Sequence, residues 1–113
     1  MSLEISTSSD TTIIMLVRRF DANTAPSVEA ELKGIIDKRP DSVLFDFTQT
    51  DYIASGGLRV LLSTTKQLMK TGSRIGLCSL SPQVRQVFDI AGFNRIFSIY
   101  GTRQEALAAL QKK

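Results

Sequence analysis

Apolar Leu3 and Ile5 and β-branched Thr7 alternate with polar residues, Ser8-Ser9-Asp10 carries turn residues, and Thr12 to Val17 is a β-branched apolar run. A period of two broken by a turn predicts two adjacent strands. In Asp21-Ala22-Asn23-Thr24-Ala25-Pro26, the side chain of Asn23 or Thr24 is placed to accept the first free helical amides, and proline suits a first helical turn. A helix is expected there, with Val28, Leu32, Ile35 and Ile36 at steps of three and four, stopped by Lys38-Arg39-Pro40. Ser42 to Phe47 is nearly continuous in apolar residues, which suits a central strand covered on both faces. Beyond a loop at Thr48 to Ile53, Leu58 to Lys70 sets Leu58, Leu61, Leu62, Thr65, Leu68 and Met69 on one helical stripe that ends before Gly72. Arg74 to Leu80 reads as a strand. Ser81-Pro82 opens a helix carrying Val84, Val87, Phe88 and Ile90, closed by Gly92. Ile96 to Tyr100 is a last strand, and Thr102 caps a closing helix with Ala106, Leu107 and Leu110 on one face.

The order is two strands followed by helix and strand in alternation. It predicts an α/β fold with a mixed central sheet of about five strands, right-handed crossovers and about four helices packed against the sheet. No repeat, linker or low-complexity segment divides the 113 residues, so one domain spanning residues 1–113 is expected.

Composition narrows the chemistry. There is no histidine, and the single cysteine, Cys78, cannot form an internal disulfide, which points to a reducing, cytoplasmic setting and away from metal and triad catalysis. Met1-Ser2-Leu3-Glu4-Ile5-Ser6 lacks a basic region followed by an apolar run, so neither export nor membrane insertion is expected. The net charge of +3 comes from scattered residues, and its densest spots, Arg18-Arg19 and Lys112-Lys113, have no aromatic interleaving, so nucleic-acid binding is not expected. Cys78 lies inside Ile75-Gly76-Leu77-Cys78 and reads as a small core residue, and Met15 and Met69 as core filler. Asp46 and Asp51 read as solvated loop acids without a nucleophile or base around them, so no catalytic residues, metal ligands or cofactor are expected.

The informative stretch leaves the central strand and enters a helix through Tyr52-Ile53-Ala54-Ser55-Gly56-Gly57-Leu58. Sites in open α/β sheets lie beyond the carboxyl ends of strands. Two glycines permit either a positive φ or a close backbone approach, and Ser55 stands where a helix wants its cap. A capping serine in a tight turn accounts for these residues by itself. The glycine pair lacks the lysine and spacing of a phosphate loop, which makes it a weak nucleotide signal.

The same stretch resembles the signature of STAS-domain anti-sigma-factor antagonists, often written Asp-Ser-Ser/Thr-Gly-Leu. Phe20-Asp21-Ala22-Asn23-Thr24-Ala25 is similar to that family's apolar-Asp-x-x-Thr-Ala stretch, and Ser81 to Phe93 to its late helix and Gly-Leu turn. The resemblance implies a STAS fold and a non-catalytic binding module, monomeric when free. It implies that an ATP-dependent anti-sigma serine/threonine kinase binds the unphosphorylated protein, phosphorylates Ser55 and is thereby released, with a phosphatase as the candidate that resets the serine. On this reading the partner-binding residues are Asp21, Asn23, Thr24, Ala54, Ser55, Gly56, Gly57 and Arg59.

Arg59, four residues beyond Ser55, is placed either to pair with its phosphate or to stand as an ordinary surface cation. Asp21 either sits beside Ser55 or bonds its own turn. Two departures bear on kinase recognition: Ala54 stands where the family usually has an acid or serine, and Gly56 where it has a second hydroxyl or alanine. The alternative is a STAS subunit of a transporter assembly in which Ser55 stays unmodified.

Overall fold

The computed structural model describes residues 3–111; Met1, Ser2 and the Lys112-Lys113 pair lie outside them. Strands β1 (Glu4–Ser8) and β2 (Thr11–Met15) form an antiparallel hairpin, with Ile5 opposite Ile14. The chain then passes through the two-residue strand β3 (Arg19–Phe20) into helix α1 (Ala25–Asp37) and returns in β4 (Ser42–Asp46), parallel to β2. A second short strand, β5 (Tyr52–Ile53), leads into α2 (Ser55–Lys70), then β6 (Arg74–Cys78) and α3 (Pro82–Ile90). A 3-10 turn (Phe93–Arg95), β7 (Ile99–Tyr100) and α4 (Arg103–Gln111) complete the described chain. The main sheet has the order β1-β2-β4-β6-β7, with every pair after the hairpin parallel. This is the expected mixed five-strand sheet with four helices.

Alternation along the strands splits the core into two layers. Ile14, Val43, Phe45 and Leu77 face one way and are buried with Val28 and Leu32 of α1, Leu61 and Leu68 of α2, and Val84 and Phe88 of α3. Ile13, Leu44 and Cys78 face the other way, against Ala106 and Leu110 of α4. Because β4 is covered on both sides, all five of its residues are buried, Asp46 among them.

Several sequence expectations need correction. Asp46 is a buried strand end rather than a solvated loop acid. Its Oδ2 accepts from Arg103 Nε at 2.9 Å and Nη2 at 2.8 Å, and its Oδ1 accepts from the Thr48 amide and hydroxyl. Burial pushes this carboxyl up, but the Thr48 hydrogen bonds and the Arg103 guanidinium together hold it below its ordinary value. Met69 is 61% exposed and Ile96 55%, because β7 begins only at Ile99 and leaves an open groove between the last turn of α2 and Phe97. Ile90 is 80% exposed: at about 100° per residue it falls well off the stripe of Val84, Val87 and Phe88. The expected strand from Ile96 shortens accordingly, and the stretch expected as a loop before α2 contains β5.

Cys78 is buried as expected. Desolvation, reinforced by the Asp46 carboxylate on the neighbouring strand, pushes its thiol up to about 11. It should therefore react with a thiol-specific chromogenic reagent only at the rate of unfolding; stoichiometric labelling of folded protein within seconds would contradict its burial.

Asp46 also sets an acid limit. A carboxyl whose folded pKa lies below its unfolded value of about 4 stabilises the fold above that pH, and the stabilisation is lost as pH falls through the folded pKa. Asp46→Asn should lower stability at pH 7 by about 2 kcal/mol in urea unfolding and flatten the loss of stability below about pH 4. An unchanged acid limb would contradict this assignment.

Candidate functional site

The residues singled out in the sequence converge where β3 and β5 pair. These two-residue strands run parallel, with Arg19 opposite Tyr52 and Phe20 opposite Ile53. The Asp51 amide donates to the Arg18 carbonyl at 2.8 Å, and the Ala54 amide to the Phe20 carbonyl at 3.0 Å. Just before the strands, Thr50 Oγ1 donates to the Val17 carbonyl and Arg18 pairs with Asp51 at 2.9 Å, and between the strands the Arg19 guanidinium lies 4.5 Å over the Tyr52 ring. Isolated strands this short do not persist. Side-chain contacts at their start and across the pair, with the backbone bonds at either end, hold them.

The turn before α1 is organised differently from expectation. Neither Asn23 nor Thr24 caps the helix with its side chain. Instead Asp21 Oδ1 accepts from the amides of Asn23 at 3.0 Å and Thr24 at 3.3 Å, an Asx turn, while Oδ2 pairs with Arg19 at 3.5 Å. Thr24 Oγ1 accepts from the Asp21 amide and donates to the Arg19 carbonyl at 2.7 Å. Asp21 thus bonds its own turn, and the turn is braced against β3.

Helix α2 meets that turn through its glycines. A Cβ on Gly56 would stand 3.0 Å from both the Cα and the amide nitrogen of Ala22. One on Gly57 would stand 2.7 Å from Phe20 Cγ and closer still to the Phe20 carbonyl oxygen. Neither glycine has a positive φ, so the pair serves close approach rather than an unusual backbone conformation. The contact places Asp21-Ala22 against the first turn of α2 and sets the sequence-distant Phe20-to-Thr24 and Ala54-to-Gly57 segments side by side.

Ser55 is not the cap expected of it. Ala54 holds the extended N-cap position, with φ −130° and ψ −179°, and Ser55 is the first helical residue. Its side chain is exposed, and no side chain caps the helix. The first-turn amides of α2 therefore stand beside a hydroxyl that has no hydrogen-bond partner among the described residues, at the positive end of the helix dipole. Arg59 is exposed one turn on and forms no ion pair among the described residues.

Sequence reasoning did not single out Arg19, Ala22 or Tyr52 as parts of this surface, nor the buried Phe20 as the residue beneath it. The glycine pair announced that some backbone comes close, but only the fold shows which one. Among the described residues no group of three or more Cys, Asp or Glu side chains could hold a metal ion, and no helix is long and apolar enough to cross a membrane.

Comparison with known proteins agrees with this architecture. The family model described as STAS domain matches residues 2–106, and the chain belongs to that family. A Bordetella bronchiseptica protein named "Putative anti-sigma factor antagonist BtrV" is 44% identical over 87 residues, covering 77% of this chain and 75% of that protein. Among solved structures, an anti-sigma factor antagonist from Mycobacterium paratuberculosis superposes with a TM-score of 0.90 at 22% identity, covering 98% of this chain and 94% of that one. The Bacillus cell fate determinant SpoIIAA in its phosphorylated form gives 0.73 at 20% identity, covering 97% and 100%.

The glycine contact is testable. Gly57→Ala should destabilise by about 1–3 kcal/mol through overpacking against Phe20, despite alanine's better helix propensity. Gly34→Ala in α1, where an added Cβ meets nothing within 4 Å, should stabilise by about 0.5–1 kcal/mol. Urea midpoints that shift the same way in both variants would overturn the close-approach account.

Proposed function

We propose that this protein is an anti-sigma-factor antagonist that works by partner switching. In its unphosphorylated form it binds a protein serine/threonine kinase through the surface formed by Asp21, Asn23, Thr24, Ala54, Ser55, Gly56 and Arg59; Gly57, buried against Phe20, shapes that surface from beneath instead of touching the partner. Phosphorylation of Ser55 by that kinase, with ATP held by the kinase, releases it, and a phosphatase restores the serine. The protein itself performs no catalysis.

The observation that carries this reading is the exposed Ser55 at the uncapped start of α2, pressed against the Asp21-Ala22 turn. The names borne by its relatives point the same way. A phosphoryl group there adds about −1.5 to −2 charges beside free amides and the positive dipole end, so the domain accommodates it without unfolding. The cost falls on the complex, in which a surface complementary to a neutral hydroxyl has to bury a dianion. A penalty of about 3 kcal/mol corresponds to roughly a hundredfold loss of affinity.

The test begins with mass spectrometry of the protein isolated from its native cells together with what it retains. An ATP-binding kinase and phosphate localised to Ser55 are expected; a transporter ATPase with Ser55 unmodified would replace this reading with the transporter-subunit one. With the purified kinase, Ser55→Ala should bind like wild type but resist release by ATP, and Ser55→Asp should bind at least tenfold more weakly, an effect of about 1.4 kcal/mol. Equal affinities for all three proteins would refute the switch.

A further inference from the structure

Helix α2 carries a second feature that begins at Ser55 and Arg59 and runs beyond the Ser55 surface. Its sequence from Ser55 to Lys70 contains three cations, Arg59, Lys66 and Lys70, and no acidic residue. Ser55, Arg59, Leu62, Lys66 and Lys70 are separated by steps of four, three, four and four, so they form one stripe along the helix. That stripe faces away from the buried positions Leu58, Leu61, Thr65 and Leu68. Arg59, Lys66 and Lys70 are exposed, Leu62 is half-buried among them, and together with Ser63 and Gln67 they line a shallow groove. None of the three cations forms an ion pair among the described residues. The last-turn Lys70 suits the helix dipole, whereas Arg59 lies toward its positive end with no acid on the helix to offset it.

We propose that this stripe is a docking surface for an acidic segment of the kinase, extending the Ser55 contact by about 16 Å from Arg59 to Lys70 at 1.5 Å per residue. The proposal rests on the switching function above and adds the partner's chemistry: carboxylates in register with Arg59, Lys66 and Lys70, around an apolar contact at Leu62. Continuity with Ser55 favours a protein over other polyanions. A single-stranded nucleic-acid surface would want aromatic stacking groups, and the groove has none; a membrane-lying helix would want a broad exposed apolar face, and Leu62 offers one half-buried side chain. The stripe also couples to the switch: a phosphate on Ser55 takes Arg59, one turn away, as its counter-ion and withdraws it from the kinase's carboxylates.

The experiment measures binding of the purified kinase to full-length protein at low and moderate salt by calorimetry. Lys66→Gln/Lys70→Gln should bind about tenfold more weakly at low salt and show a shallower loss with added salt. The control Gln104→Glu/Ala108→Glu makes the same change in net charge on exposed positions of α4, across the sheet, and should bind like wild type. Circular dichroism should confirm that both variants fold. Unchanged affinity and salt slope in the lysine variant, while Ser55→Asp still loses the kinase, would overturn the stripe and leave the switch standing. The converse, wild-type affinity in Ser55→Asp with a weakened lysine variant, would sink the switch and keep the stripe. Binding of wild type to duplex DNA or phosphatidylserine vesicles, lost in the lysine variant whose kinase affinity is unchanged, would reassign the stripe and overturn the proposal.

Discussion

The Phe20 carbonyl is the pivot on which the functional end of the molecule turns. It accepts the Ala54 amide and so fixes the point where the chain enters α2. The same carbonyl lies where a side chain on Gly57 would have to go. One oxygen thus sets both the end of β5 and the separation of α2 from the turn before α1. With any larger residue at 57 the helix would have to retreat, taking Ser55 and the first-turn amides with it. The neighbouring contacts depend on that spacing too: Gly56 rests on Ala22, and α1 and α2 lie side by side along the same sheet face.

A rigid platform lies beneath. The site sits just beyond the carboxyl ends of β2 and β4, where open α/β sheets place their ligands. The end of β4 is tied down independently by Asp46, which joins the Thr48 turn to Arg103 of α4 on the opposite face. Thr50, at the far side of that turn, bonds the Val17 carbonyl beyond β2. The loop between β4 and β5 is therefore anchored at both ends before it reaches Ser55. The backbone that presents the Ser55 hydroxyl is thus held by contacts that do not involve the hydroxyl itself.

The layered fold was legible because its signals are local. Periodicity and breakers marked every helix, and the unbroken apolar run of β4 declared a strand covered on both sides. Errors came at helix ends: Ile90 lies off the buried stripe of its helix, and Met69 continues the apolar run of α2 past the surface that covers it. The pairing of β3 with β5 was not legible, since two residues carry no periodicity and their partners are more than thirty positions apart in sequence. Ser55, Arg59 and Asp21 could be picked out one by one. The place of Arg59 one turn beyond Ser55 followed from spacing, but for Asp21 the residues left two readings open, and only that pairing and the glycine contact bring its turn against the head of α2. Asp46 was misread because its partner, Arg103, belongs to the last helix and no local rule joins them.

Ala54 shows why a departure from a family's pattern need not weaken a site. In the sequence it counts against kinase recognition, because an acid or serine is usual there. In the fold it occupies the N-cap of α2, where a polar side chain would accept from the first-turn amides. Alanine forgoes about 1 kcal/mol of capping and leaves those donors open. It also keeps a fixed negative charge away from the adjacent hydroxyl, so the only change of charge at the head of the helix is the one that a modification of Ser55 would bring. With Asp21 bound into its own turn and Arg59 one turn along, any phosphate added at Ser55 would itself set the electrostatic contrast there, with no side-chain carboxylate at the N-cap to share it.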